Sequence, residues 1–201
     1  MCSCLLAPNS FIATIGAGGE MAGWRRALAI LVAILACHAA SATGNDNSRE
    51  NFLTAYQCSL SGLIAKILAE KKPDEQDRFV TLSLPGPTAA YVQCAFDNDV
   101  RNGLCEASSG WWNNAWEKPH FRADQLAALS RLGFSTDGAH GNFQDKMKYP
   151  PGGPDPFTLA RLMLSALYEG YGAQKFMPIE VVAPFALRHG YLPQKPCAPI
   201  G

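Results

Sequence analysis

The sequence predicts an α+β fold formed by a single domain, and two observations support this. The chain has 201 residues, of which 48% are hydrophobic, so there is enough apolar material for one packed core. Segments with apolar residues at helical spacing alternate with short β-favouring segments that end at Pro, Gly or Asn. The expected order of elements is helix, three strands, helix, strand, helix.

Residues 1–42 are predicted to be an upstream leader followed by a secretory signal peptide. From Met21, a charged segment precedes an apolar run at 27–36 and small residues that end at Ala42, which is the usual order of such a signal. The apolar run has about ten residues, half of what a membrane-spanning helix needs. We expect a start at Met21, cleavage after Ala42, and a periplasmic or secreted chain without a transmembrane span. Alternatively, the sequence around Cys37 resembles a lipoprotein box, and Cys37 would carry a lipid anchor.

The charge of the chain argues against a nucleic-acid partner. Its 17 Lys and Arg residues balance 17 Asp and Glu residues, so the formal net charge is zero. A nucleic-acid-binding surface needs clustered basic side chains that displace counterions from phosphates, and the sequence contains no such cluster. DNA and RNA are therefore not expected as partners.

The first helix of the mature chain is predicted to begin near Ser48 and to contain about twenty residues. It ends before the polar segment at 70–73. Its apolar residues recur at helical spacing and should form its buried side: Phe52, Leu53, Tyr56, Leu60, Leu63, Ile64, Ile67 and Leu68.

Three short strands are expected next. The segments 78–84 and 90–96 are rich in β-favouring residues, and the Pro and Gly residues at 85–87 separate them, which indicates two strands joined by a tight turn. A second turn at 97–103 precedes a third strand at 104–108.

The following part of the chain is predicted to form two helices and one strand. Leucines at three-residue steps indicate a helix at 123–132 that ends at a glycine cap, Gly133. The segment 142–149 supplies a fourth strand. The last helix begins with Asp155 as its N-terminal cap and Pro156 in its first turn. Its expected buried side consists of Phe157, Ala160, Leu164, Leu167, Tyr168 and Tyr171.

The end of the chain, residues 176–201, is rich in proline. We expect this segment to wrap the surface as a tail rather than to form a domain, with one strand around 179–183. The folded domain is therefore expected to occupy residues 43–175.

Four of the seven cysteines remain after the predicted cleavage: Cys58, Cys94, Cys105 and Cys197. An even number of cysteines in an exported chain favours two disulfides over metal ligation or a reactive thiol. If the second and third strands pair antiparallel about their turn, Cys94 and Cys105 can face each other. That pairing leaves Cys58 for Cys197. A nucleophilic thiol is not expected, because strand positions in an exported chain do not favour a lowered thiol pKa.

The sequence predicts no catalytic residue, no metal site and no cofactor. His120, His140 and His189 are scattered along the chain without the spacing of metal ligands. Asp97 and Asp99 resemble the start of a calcium loop, but an arginine occupies the next ligand position and no glutamate closes the loop.

Three tryptophans within six residues are the strongest candidates for ligand binding. Trp111, Trp112 and Trp116 follow the third predicted strand, and Tyr91 in the second strand joins them as a candidate. Indole rings stack on sugar faces and on apolar peptide side chains. A tryptophan in such a loop can equally fold over the edge of the core, and both interpretations stay open at this point.

The core pattern of the chain resembles a known family. The residues that carry the resemblance lie at 91–96, 106–108, 126–134, 142–143 and 159–172. This pattern resembles the TY-Chap family, bacterial domains similar to type III secretion chaperones and to YbjN-like proteins, and it covers roughly residues 78 to 172. The resemblance implies a twisted antiparallel sheet with helices packed on one face, as in secretion chaperones, and a binding role without a cofactor.

These observations together predict an exported, non-enzymatic, chaperone-like domain that binds a protein or peptide in the bacterial cell envelope and can form a homodimer. The expected contact surface is the open face or edge of the sheet together with the tryptophan loop. The alternative is a cell-envelope glycan binder or a hydrolase that uses the same tryptophans with Glu106 or Glu117.

Overall fold

The computed structural model describes residues 47–69, 78–86, 90–110, 120–139, 141–186 and 188–197. The described residues form three α-helices, which are α1 (Asn47–Ala69), α2 (Ala123–Arg131) and α3 (Pro156–Ser165). They also form six strands, which are β1 (Phe79–Ser83), β2 (Tyr91–Phe96), β3 (Asn102–Ala107), β4 (Phe143–Lys148), β5 (Glu180–Ala183) and β6 (Arg188–Tyr191). A π-helical turn, Ala166–Gly170, continues α3, and a 3₁₀ turn, Pro184–Ala186, joins β5 to β6.

All six strands belong to one antiparallel sheet with the order β4-β3-β2-β1-β5-β6. Alternate residues of β1, β2 and β5 are buried, and the buried set forms one core with apolar residues of all three helices. The other residues of these three strands are at least partly exposed. The helices therefore pack against one face of the sheet, and the predicted α+β fold is confirmed.

Helix α1 forms the centre of the covering layer. Six side chains of its predicted apolar stripe are at most 1% exposed: Phe52, Leu53, Tyr56, Leu60, Ile64 and Ile67. The other two, Leu63 and Leu68, are partly buried against the core. By length and composition, α1 is the only helix in the described part of the chain that could cross a membrane. Core helices share those properties, and here Tyr56 donates a hydrogen bond to the carbonyl of Met177 (2.9 Å).

Two disulfides join the cysteine pairs that the sequence suggests. Cys94 and Cys105 lie directly opposite each other on β2 and β3, with their Cα atoms 4.1 Å apart. Cys58 on α1 is bonded to Cys197 near the end of the described chain, with a Cα separation of 5.3 Å. Disulfides form and persist in oxidising compartments, so the two bonds indicate an extracytoplasmic location.

Helix α3 begins as predicted and buries the predicted side except at Phe157. The carboxylate of Asp155 accepts hydrogen bonds from the backbone N–H of Thr158 (2.8 Å) and from its hydroxyl (2.6 Å), which caps the helix. The prediction that Phe157 is buried is wrong, because this side chain is 47% exposed. Two residues along a helix correspond to about 200° of rotation, so the buried Leu159 places Phe157 on the opposite, solvent-facing side.

The end of α3 contains a π-helical turn that the sequence analysis did not predict. Within this turn, Gly170 lies so close to α2 that a Cβ atom there would come within 2.7 Å of the side chain of Leu129. Leu129 is fully buried and cannot move outward without disturbing the core.

We therefore expect Gly170→Ala to destabilise the protein by about 1–3 kcal/mol through overpacking. Urea unfolding followed by circular dichroism measures this loss. Gly172→Ala is a control for the loss of a glycine near the same helix end, because a Cβ at Gly172 would meet no atom within 4 Å, although its positive φ of 73° adds some strain. An equal or smaller loss for Gly170→Ala than for the control would contradict the overpacking argument.

The segment after residue 175, predicted to be a tail with one strand, contributes two strands to the sheet. Strand β5 pairs with the central strand β1, and β6 pairs with β5. The alternation of buried Val181 and Ala183 made β5 recognisable, whereas β6 has only four residues and includes Gly190 with a φ of 137°. Beyond β6, the chain follows α1, where the N–H of Lys195 donates to the carbonyl of Ala55 (2.9 Å).

Candidate functional site

The candidate site lies around the two ends of residues 111–119, the segment that is predicted from the sequence to be the tryptophan loop. Trp111, Trp112 and Trp116 lie outside the described residues, as do Glu117 and His140. The structure describes the chain up to Gly110 and again from His120, so it shows how both ends of the loop are held. We call the residues that hold these ends the loop base: Tyr91, Ser108, Ser109, Phe121, Asn142 and Tyr171.

A buried asparagine links the two sides of the loop base. Asn142, which immediately precedes β4, is 5% exposed. Its amide Nδ2 donates to the hydroxyl of Tyr91 on β2 (2.6 Å), and its Oδ1 accepts from the backbone N–H of Ser109 (3.3 Å). The hydroxyl of Ser109 also donates to the carbonyl of Gly141 (2.6 Å). The start of the tryptophan loop is therefore tied to both β2 and the beginning of β4.

The far end of the loop is held by aromatic contacts. The ring of Phe121 packs edge-on against Phe143 on β4 and against Tyr171 after α3, with centroid distances of 5.3 and 5.5 Å. Tyr171 then donates a hydrogen bond to the carbonyl of Ser108 (2.7 Å). Both ends of the loop thus contact Tyr171, which fixes their separation.

The two tyrosines of the loop base stay protonated in any ordinary buffer. Burial, and then the proximity of Tyr91, raises the pKa of Tyr171 well above its usual value. Burial also raises the pKa of Tyr91, and the charge of Glu106 adds to this while the hydrogen bond from Asn142 opposes it. Since the Tyr91 hydroxyl accepts the bond from Asn142, its own proton is available to a ligand beside the loop.

The face of the sheet opposite the helices carries a row of polar side chains. Thr81, Gln93, Glu106 and Gln144 are in register across β1 to β4. The hydroxyl of Thr81 donates to Gln93 Oε1 (2.8 Å), and the amide of Gln144 donates to Glu106 Oε1 (2.7 Å). We refer to this surface as the open face. It is able to form hydrogen bonds and remains partly exposed in the described part of the chain.

The other ionisable candidates in the described part of the chain do not form one cluster. Asp97 and Asp99 lie in the β2–β3 turn, where they accept hydrogen bonds from the N–H groups of Asn102 (3.1 Å) and Arg101 (3.0 Å) and so stabilise the turn itself. His189 lies on β6, at the opposite edge of the sheet from β4. Among the described residues there is no group of three His, Cys, Asp or Glu side chains that could hold a metal ion.

Comparison of the chain with protein-family models, with curated proteins and with solved structures gives no match. The resemblance to the TY-Chap family therefore stays a prediction. The geometry of the loop base and of the open face is therefore the basis for proposing a function.

Most of the loop base is not predicted by the sequence. Tyr91 is a binding candidate there, whereas Asn142 and Tyr171 are only positions of a core pattern. The contacts themselves join segments up to 63 residues apart, as in the Tyr171–Ser108 bond, and no local pattern encodes them.

The covered side of β4 contains a carboxylate whose charge is unfavourable. Asp145 lies opposite Cys105 in the sheet, and partial burial raises its pKa. Burial and then the charge of Asp145 raise the pKa of the nearby Tyr149 to about 12. A raised carboxyl pKa means that the folded protein binds this proton more tightly than the unfolded chain does. Stability from this group is therefore complete at low pH and is lost as the pH rises through the folded-state pKa.

We expect Asp145→Asn to raise the midpoint of urea unfolding at pH 7 and to have little effect at pH 3, below the unfolded-state pKa. Asp155→Asn is the matched control, because hydrogen bonds from Thr158 lower the pKa of Asp155 and its charge is favourable in the fold. The control should give no gain at pH 7. A gain for Asp145→Asn that is equal at both pH values would contradict the electrostatic explanation.

Proposed function

We propose that this protein is an exported, non-enzymatic domain that binds a protein or peptide in the bacterial cell envelope. The observation that carries the proposal is the open face: the described helices cover only one side of the six-stranded sheet. A sheet with an uncovered face and accessible edges offers both side chains and main-chain groups to an extended segment. The chain enters the tryptophan segment directly after β3, at the same end of the sheet as Tyr91, and in this proposal its indoles anchor the bound segment.

The disulfides support an extracytoplasmic site of action. We propose a periplasmic or secreted chain cleaved after Ala42, with lipidation at Cys37 as the alternative. The mass of the protein recovered from envelope fractions separates these cases. A chain that begins at Thr43 supports signal-peptidase cleavage, and a lipid-modified Cys37 supports anchoring.

The binding function is tested with an array of randomised heptapeptides and the mature, oxidised protein. Saturable binding of a subset of peptides that is weakened by Tyr91→Ala, while Ser130→Ala on the outer side of α2 has no effect, would support the proposal. Soluble peptidoglycan fragments are titrated in parallel. If no peptide binds and the fragments quench tryptophan fluorescence saturably, the protein is a glycan binder, and released products would make it a hydrolase.

A further inference from the structure

Strand β4 is an edge of the sheet, and part of that edge is unpaired. The N–H of Tyr149 donates to the carbonyl of Arg101 on the β3 side (2.7 Å), whereas the carbonyl of Gln144 accepts from Ser135 on the outer side (2.8 Å). Because hydrogen-bonding direction alternates along a strand, the main-chain groups of Lys146 and Lys148 point outward. Neither residue has a backbone partner on that side among the described residues. The bridge from Ser135 covers only the beginning of the edge.

A cleft lies on each side of this unpaired edge. On the open face, a cleft of about 540 Å³ is lined by residues that include Ala95, Leu104, Lys146 and Lys148. On the helix-covered face, a smaller cleft of about 200 Å³ lies between the end of β4 and α3. Its lining is mainly apolar and includes Met147, Tyr149, Pro150, Pro154, Leu159 and Leu162.

The charges at this edge indicate what kind of partner it can bind. Lys146 and Lys148 are exposed, and neither forms an ion pair with a carboxylate in the described part of the chain. Asp97, the carboxylate in the larger cleft, accepts hydrogen bonds from both the backbone and the side chain of Asn102. A second copy of this chain paired through β4 would bring lysines of the two copies together, which is unfavourable. The edge therefore fits an acidic segment better than it fits itself.

We propose that the unpaired end of β4 binds an extended peptide segment in which an apolar residue stands between two acidic residues. This proposal rests on the peptide-binding function above and specifies its partner. The segment adds as a seventh strand through the main-chain groups of Lys146 and Lys148. Side chains alternate across a strand, so the two acidic residues lie beside the lysines on the open face. The apolar residue between them then enters the cleft beside Met147.

The direct test uses a fluorescein-labelled heptapeptide, Gly-Thr-Glu-Leu-Glu-Thr-Gly, and fluorescence anisotropy. We expect saturable binding that weakens about tenfold in the double variant Lys146→Glu/Lys148→Glu, since two attractive charge pairs become repulsive. Peptides with the leucine replaced by serine, or with both glutamates replaced by lysine, should also bind at least about tenfold more weakly. Equal binding of all three peptides would overturn the proposal.

Main-chain pairing is tested separately from charge. Lys148→Pro removes an outward N–H that β3 does not use, and proline is tolerated at such edge positions. Lys148→Thr removes the same charge but keeps the N–H. Weaker peptide binding by the proline variant than by the threonine variant, with unchanged circular dichroism, indicates strand addition. Equal affinities would exclude it.

The same variants, probed with the randomised heptapeptide array, distinguish a failure of the β4 site from a failure of the peptide-binding function. Suppose that the array peptides that bind share no acidic-apolar-acidic pattern and bind the lysine variants as tightly as the native protein. The proposed β4 site is then wrong, and the peptide-binding function stands. If no peptide of the array binds the native protein, the peptide-binding function itself fails.

Discussion

Replacing Cys58 and Cys197 together by alanine is expected to lower the free energy of unfolding by about 5 kcal/mol. The two cysteines are 139 residues apart, so their bond restricts a very long loop in the unfolded chain. The bond also holds the end of the chain against α1, where Gln194 donates to the hydroxyl of Tyr56 (2.8 Å). Because small domains are stable by only about 5–15 kcal/mol, this loss removes a large share of the total.

The second disulfide provides the comparison. Cys94 and Cys105 are 11 residues apart and already adjacent in the sheet, so their bond closes a short loop worth about 3 kcal/mol. Cys94→Ala/Cys105→Ala is therefore expected to be less destabilising, even though both side chains are fully buried. Urea unfolding of the three proteins, oxidised and followed by circular dichroism, measures both losses. The reverse order would mean that core packing around β2 and β3 outweighs loop closure.

The order of the main elements was predictable because it depends on local periodicity. One side of α1, β1 and β2 is buried, and this burial leaves a periodic pattern of apolar residues in the sequence of each element. The opposition of Cys94 and Cys105 followed as well, since a short turn between two strands leaves few registers. The cap at Asp155 was equally local, because it depends only on the residue three positions later.

The remaining features depend on contacts between distant segments. Gly170 is required by the approach of Leu129 from α2, and the sequence near Gly170 contains no sign of that approach. Strand β6 is too short and too polar to be recognised from its own sequence, and it forms because it pairs with β5. The loop base is the same kind of feature, with Tyr91, Asn142 and Tyr171 drawn from three separate elements. Such sites become visible only when the sheet has been assembled.

The loop base also leads to the second large effect, which links stability to the proposed binding loop. Asn142→Ala is expected to cost about 2 kcal/mol, since the partly buried N–H of Ser109 loses this acceptor and the Tyr91 hydroxyl loses its donor. Tyr91→Phe removes only the second of these bonds and should cost about 1 kcal/mol. Urea unfolding of the two variants measures the difference.

Tryptophan fluorescence provides a readout specific to the loop. The chain has four tryptophans, and Trp24 lies in the predicted signal peptide, so the emission of the mature protein comes from Trp111, Trp112 and Trp116. If Asn142 holds the start of this loop, Asn142→Ala should increase acrylamide quenching and weaken peptide binding, while Tyr91→Phe should leave quenching near that of the native protein. If Asn142→Ala is destabilised by the expected amount but its acrylamide quenching equals that of the native protein, Asn142 has only a role in the core. The tryptophan loop is then positioned from its other end, through Phe121 and Tyr171.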